Sequence, residues 1–380
     1  MLLTLPHGRD FARRLAAAAL PCALACACLA QQPTPTVTPA PQVPPSPALQ
    51  TPAQVPRDDQ EPLKVYTQEV RLPVAAFDDW DHFDPTVSAA DLLVLEDGVP
   101  QTVRSIDRRP ARVLVVFDMG AQVTSTRSGR AARDAALRLF ASLREGDEVA
   151  AIQNGGRVEQ ILDWTDDREA AARALERKFF GANRSRLSEC LAAAAAKLRG
   201  EPAGNTHVVV FTDGFEQQTR ERVEAAAINR TAMHDLVATQ ASVHVFCFAA
   251  LVSEKVRARN RVMTAGTADG KVSVRIDLDF EMRRWFRAYA RAAEERERQL
   301  TALADEAGGR VLLPLSPEDT ARLAERVARD IAAQYVITYA PSRPFTPGDS
   351  RDRRRVEVRP RRSGLRLVTL RTAVSASAQN

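Results

Sequence analysis

The sequence predicts an α/β fold, a doubly wound and mostly parallel sheet flanked by small β modules, and three observations carry that reading. The runs Val113-Leu114-Val115-Val116-Phe117 and Val208-Val209-Val210-Phe211 are unbroken apolar strands, each leading into an aspartate, Asp118 or Asp213. Strands without polar alternation are buried on both faces, as in a parallel sheet covered by helices. Around them strand and helix patterns follow the order βαββααβαβαβ, which fits a Rossmann-like winding. Outside that centre, alternating half-apolar segments near 63–107 and 331–374 read as β modules.

Taken in order, residues 1–30 read as a signal peptide. Arg9, Arg13 and Arg14 precede the apolar run Leu15 to Ala30, and Ala25 and Ala27 form a small-residue cleavage pattern that releases a chain starting near Gln31. Pro21 interrupts the run, which is short for a spanning helix. Its removal takes away three Arg and Asp10, so the net charge falls from +5 to +3. Cys22, Cys26 and Cys28 lie within it, and Ala23-Leu24-Ala25-Cys26 loosely fits a lipid-attachment site, so a lipid anchor stands as an alternative to simple cleavage. Either route implies export from a bacterium to the periplasm, the cell surface or the medium. Residues 31–62, rich in Pro, Thr and Gln and without hydrophobic periodicity, form an extended linker, because such a stretch buries too little surface to offset its chain entropy.

The N-terminal β module, 63–107, contains Asp91-Leu92-Leu93-Val94-Leu95-Glu96 followed by Asp97-Gly98, a strand and a tight turn. The central domain spans 108–330, with strands expected at 112–118, 147–153, 157–162, 206–213, 242–249 and 309–314. Helices are expected near 128–144, 166–178, 186–199, 221–240 and 294–307. Ala132, Ala135, Ala136, Leu139 and Phe140 give the first helix a core face at helical spacing. Asn154-Gly155-Gly156 joins 147–153 to 157–162 as a hairpin, which supplies one antiparallel edge strand. Cys190 and Cys247 read as small, unpaired core residues.

Open α/β sheets bind ligands at the carboxyl ends of their strands, where Asp118 and Asp213 sit. A third element joins them: the polar loop Gly181 to Leu187 opens into a helix, and Ser185 is either an ordinary cap or part of a site. With these three loops the chain resembles the von Willebrand factor type A domain, and more narrowly the related family described from Acidobacteria. The phrase Val94-Leu95-Glu96-Asp97-Gly98, the helix ending Ala307-Gly308-Gly309, and Gln334-Tyr335-Val336-Ile337-Thr338-Tyr339-Ala340-Pro341 extend the likeness from roughly 65 to 374. The resemblance implies a metal-ion-dependent adhesion site with Asp118, Ser185 and Asp213 among its ligands. Where the family carries two serines after the first aspartate, this chain has Gly120 and Gln122. The candidate metal set is therefore Asp118, Gln122, Ser185 and Asp213, for Mg²⁺ or Mn²⁺, which want near-octahedral oxygen ligands. A metal-free cleft is the alternative, with both aspartates accepting hydrogen bonds from loop amides.

An insertion at 250–293 carries Arg257, Arg259 and Arg261, then Trp285, Phe286 and Tyr289, which form either an exposed anchor or a packed helix face. The C-terminal β region, 331–374, includes an arginine-dense run from Arg351 to Arg371 that reads as a hairpin turning at Ser363-Gly364. Its arginines suit an acidic partner or a solvated strand face; nucleic acid is disfavoured, because no stacking aromatics interleave them. Paired histidine spacing, a nucleophile elbow and a phosphate loop ending in Gly-Lys-Ser/Thr are absent from the sequence. The expectation is thus an exported, non-enzymatic module that binds an extracytoplasmic protein and touches a membrane only through a lipid anchor. Two rivals stand beside it: a metal-dependent phosphohydrolase using Asp118, and a binder that uses the 250–290 insertion above an inert cleft.

Overall fold

Alternate residues of the strand Arg112–Asp118 feed two separate cores, which is why its sequence lacks polar alternation. Val113, Val115 and Phe117 face one helical layer, Leu114 and Val116 the other. The computed structural model describes residues 68–118, 120, 128–179, 182, 184–201, 204–215, 228–249, 280–346 and 352–375, except the side chains of 280–283, 285 and 286. The expected signal peptide, the linker and most of the 250–293 insertion lie outside these residues.

The strands are β1 Val70–Phe77, β2 Leu92–Glu96, β3 Val99–Gln101, β4 Val103–Asp107, β5 Arg112–Asp118, β6 Glu148–Asn154 and β7 Val158–Thr165, then β8 Thr206–Thr212, β9 Ser242–Cys247, β10 Arg310–Leu312, β11 Gln334–Tyr339, β12 Arg353–Pro360, β13 Arg366–Val368 and β14 Ala373–Ser375. The helices are α1 Ser128–Ser142, α2 Arg168–Lys178, α3 Leu187–Leu198, α4 Arg230–Ala238, α5 Phe280–Ala307 and α6 Pro317–Ala332. The central sheet runs β10-β9-β8-β5-β6-β7, parallel throughout except for β7, which pairs antiparallel with β6 at the edge as the Asn154-Gly155-Gly156 turn predicts. Helices α1, α2 and α6 cover one face, and α3, α4 and α5 the other. Cys190 and Cys247 are both buried, and no disulfide joins them. Among the described residues no helix is long and apolar enough to cross a membrane.

Three helices differ from the sequence expectation. The helix expected at 221–240 begins at Arg230, with the Asn229 side chain accepting from the Thr231 amide at 2.8 Å as its cap; residues 216–227 lie outside the described ones. Helix α5 begins at Phe280, well before 294, so the end of the insertion continues a domain helix, and Tyr289 is buried with its ring stacked 4.8 Å from Phe215. Helix α6 was not expected as an element. Ser316 caps it, its hydroxyl accepting from the Asp319 amide at 3.1 Å, and Pro317 opens its first turn. Ala324, Val327, Ala328 and Ile331 pack it against α1.

The β segments on either side of the central domain share both of the remaining sheets. One runs β13-β1-β11-β4, the other β14-β12-β2-β3. Leu72 and Val74 of β1, Val94 of β2, Ile337 and Tyr339 of β11 and Val356 of β12 form one core between them. The expected hairpin at Ser363-Gly364 does not form: β12 pairs with β2 and β14, while β13 pairs with β1 in the other sheet. The chain changes sheets there because each strand has its own apolar face to bury. At the β2–β3 turn Asp97 and Gly98 both have positive φ, 49° and 82°, the geometry that suits an Asp-Gly hairpin.

Two arginines of the C-terminal run are structural. Arg354 is 1% exposed and donates to Glu96 at 2.7 Å, to both oxygens of Asp352 at 2.9 and 2.8 Å, and to the carbonyls of Arg343 and Pro344. Its guanidinium lies 3.8 Å from the centre of the Phe345 ring. The Tyr339 hydroxyl donates to the second oxygen of Glu96 at 2.9 Å, and burial followed by the Glu96 charge raises its pKa. Arg371 is buried as well and donates to the carbonyl of Gln240 at 2.6 Å.

Candidate functional site

The site forms where three parallel strands end at one level. Asp118 closes β5, and its register partner Thr212 closes β8. Asn154 closes β6 on the other side, and Ser185 and Arg186 lead into α3. Four donors converge on the Asp118 carboxylate. Asn154 Nδ2 donates at 3.1 Å and the Arg186 amide at 2.8 Å, both to Oδ1; Thr212 Oγ1 at 3.0 Å and the Ser185 hydroxyl donate to Oδ2. Second contacts fix these donors. Asn154 Nδ2 also reaches the Arg184 carbonyl at 2.7 Å, and Thr212 Oγ1 accepts from the Gly214 amide at 2.9 Å.

Asp213, the next residue after Thr212, is also buried and accepts from the Phe215 amide at 3.1 Å. Burial is the main cause that pushes its pKa up to about 8, with the Asp118 charge adding to it. Burial likewise raises Asp118, against the pull of its four donors. The Cys247 thiol is pushed up to about 12 by burial and, to a smaller degree, by Asp213. Two carboxylates therefore share a water-poor pocket, and protonation relieves their mutual charge.

Three of the four candidate ligands, Asp118, Ser185 and Asp213, meet at this edge; Gln122 lies outside the described residues. Among the described residues, the donors around Asp118 do not suit a divalent ion. Both oxygens of Asp118 already accept, and the Asn154 and Arg186 N–H groups can only donate. Gly120 supplies no side-chain oxygen, and a Cβ built there would stand 3.0 Å from the Ser185 nitrogen and 3.2 Å from its Cβ. The two loops touch through the space a family serine would fill. Among the described residues no three His, Cys, Asp or Glu side chains converge as a metal set. Asn154 and Thr212, which hold Asp118, escaped the sequence reading; the available signal was a polar residue ending each of two buried strands.

An open parallel sheet between two helical layers, with its polar site on loops at the carboxyl edge, defines a class of α/β binding domain. Residues 110–216 match the von Willebrand factor type A domain, so the chain contains a domain of that family, and the matched span holds Asp118, Ser185 and Asp213. Solved structures similar in fold include a von Willebrand factor type A protein from Catenulispora acidiphila, at 12% identity over 82% of this chain and 74% of that one, TM-score 0.41. An aerotolerance-related membrane protein from Bacteroides fragilis is 15% identical over 58% of this chain and 98% of its own, TM-score 0.36. A pilus adhesin, SpaC, from Lactobacillus rhamnosus GG is 9% identical over 76% and 47%, TM-score 0.37. No curated protein sequence matches the chain.

Proposed function

We propose that the protein is an exported, non-enzymatic module that binds another extracytoplasmic protein through the loops at the carboxyl edge of its type A domain, and does so without a resident metal ion. The observation that carries this reading is the burial of the polar groups of the site. Asp118, Asp213 and Ser185 are 0, 1 and 2% exposed. A catalytic carboxylate or hydroxyl has to reach its substrate, whereas Asp118 and Ser185 turn inward and brace the segment that leads into α3. What faces outward is loop surface such as the exposed Arg184. The Ser185 hydroxyl is committed to Asp118, which argues against a phosphohydrolase that uses Asp118 as nucleophile.

A photo-crosslinking residue placed at Arg184, with one at the exposed Arg173 of α2 as control, tests the proposal on extracytoplasmic material. A discrete protein adduct is expected from position 184 alone, with the same yield in the presence of a chelator. Equal products from both positions, or loss of the adduct with the chelator, contradict the reading. Turnover of p-nitrophenyl phosphate abolished by Asp118→Asn would favour the phosphohydrolase instead.

A further inference from the structure

At the opposite end of the central sheet, β10, α6 and β13 enclose a small cavity of about 50 Å³. One water needs roughly 10–15 Å³ of such space, so the cavity takes a group of about four or five heavy atoms. Four arginines line it, Arg310 of β10, Arg326 and Arg329 of α6 and Arg366 of β13, against two acids, Asp330 and Asp81. The acids are already engaged. Arg310 Nη2 pairs with Asp330 at 2.6 Å, and Arg366 pairs with Asp81 while its guanidinium lies 4.5 Å from the centre of the Phe77 ring. No ion pair holds Arg326 or Arg329 among the described residues. They stand three apart on one helix face, a spacing at which like charges repel. In addition, Arg310 Nε is buried without an acceptor. The lining thus carries two unmatched positive charges, a spare buried donor and space of matching size.

We propose that this seam binds a tetrahedral oxyanion, phosphate or sulfate, held by Arg326, Arg329 and Arg310. A dianion of that shape balances the two free guanidinium groups and accepts several N–H bonds in the planar fork geometry that arginine offers. Val368 and the buried Phe77 add apolar lining, and the small volume favours a compact ion over a long acidic chain. The site lies at the far end of the sheet from Asp118, so it does not depend on the function proposed for that cleft.

The test is calorimetric titration of sodium phosphate and sodium sulfate into the full chain at fixed ionic strength, beside the Arg326→Gln/Arg329→Gln double variant. Both side chains are exposed and, among the described residues, stand beyond ion-pair distance of Asp330, whose charge they only bias, so the double variant is expected to keep the thermal midpoint of the parent. Saturable one-to-one binding of either ion, weakened at least tenfold in the double variant, is the expected result. Co-sedimentation with phosphatidic acid vesicles against phosphatidylcholine vesicles distinguishes the source. Vesicle capture lost in the double variant, without heat from free ions, assigns the site to a phosphate headgroup; heat without capture assigns it to the free ion. Neither heat nor capture, or binding equal in parent and double variant, overturns the proposal.

Discussion

Two buried acid clusters in this chain solve the same problem in opposite ways. In the β sandwich, Glu96 faces Arg354 at 2.7 Å, with the Tyr339 hydroxyl on its other oxygen, so the negative charge has a cation and a full hydrogen-bond shell. In the type A domain, Asp118 and Asp213 share a pocket with no cation among their described partners, and only neutral donors reach Asp118. The first cluster joins strands more than 250 residues apart and is a device of the fold. The second places two buried carboxyl groups at the edge to which we assign partner binding, and a scaffold tolerates such a cost where binding, not stability, is selected.

The contrast is broken most severely on the paired side. Arg354→Met leaves Glu96 buried without its cation, and chemical denaturation is expected to report a loss of about 3–5 kcal/mol. In the cleft, Thr212→Val keeps the shape of the side chain but removes one donor to Asp118 and the acceptor of the Gly214 amide; the expected loss is about 1.5–3 kcal/mol, read by the same denaturation. Gly120→Ser restores the family residue, yet the crowding against Ser185 is expected to cost about 1 kcal/mol with no gain of saturable Mn²⁺ binding in calorimetry. At the small end, Arg138→Gln, which breaks the exposed pair with Glu325 across α1 and α6, should change stability by less than about 1 kcal/mol.

The same contrast explains what the sequence made legible. β5 and β8 were readable almost to the residue because burial on both faces leaves an unbroken apolar run, and the aspartates ending them marked the site edge. Helix α6 carried as clear a signal, with Ala324, Val327, Ala328 and Ile331 recurring at helical spacing behind the Ser316-Pro317 start, yet the sequence expectation omitted it. The pairing of β12 with β2 was hidden for a different reason: alternation gives a strand its inner face but not its neighbour, and here the neighbour lies across nearly the whole folded chain. Asn154 and Thr212 were silent as site residues because their role exists only once the parallel register brings three strand ends to one level.

The central claim, that the cleft holds a proton where the sandwich holds an arginine, is tested most directly by the stability of the parent and Asp213→Asn between pH 4 and 9. An unfolded aspartate ionises near 3.8, and in the fold Asp213 ionises near 8, so between these values the folded state keeps a proton that the unfolded state has released. Stability from this group is therefore full at the acid end and declines as pH rises toward 8. The account predicts that the parent loses stability relative to Asp213→Asn across that interval, with the difference levelling off above pH 8. A difference that stays flat from pH 4 to 9, or one that favours the parent at alkaline pH, would contradict it.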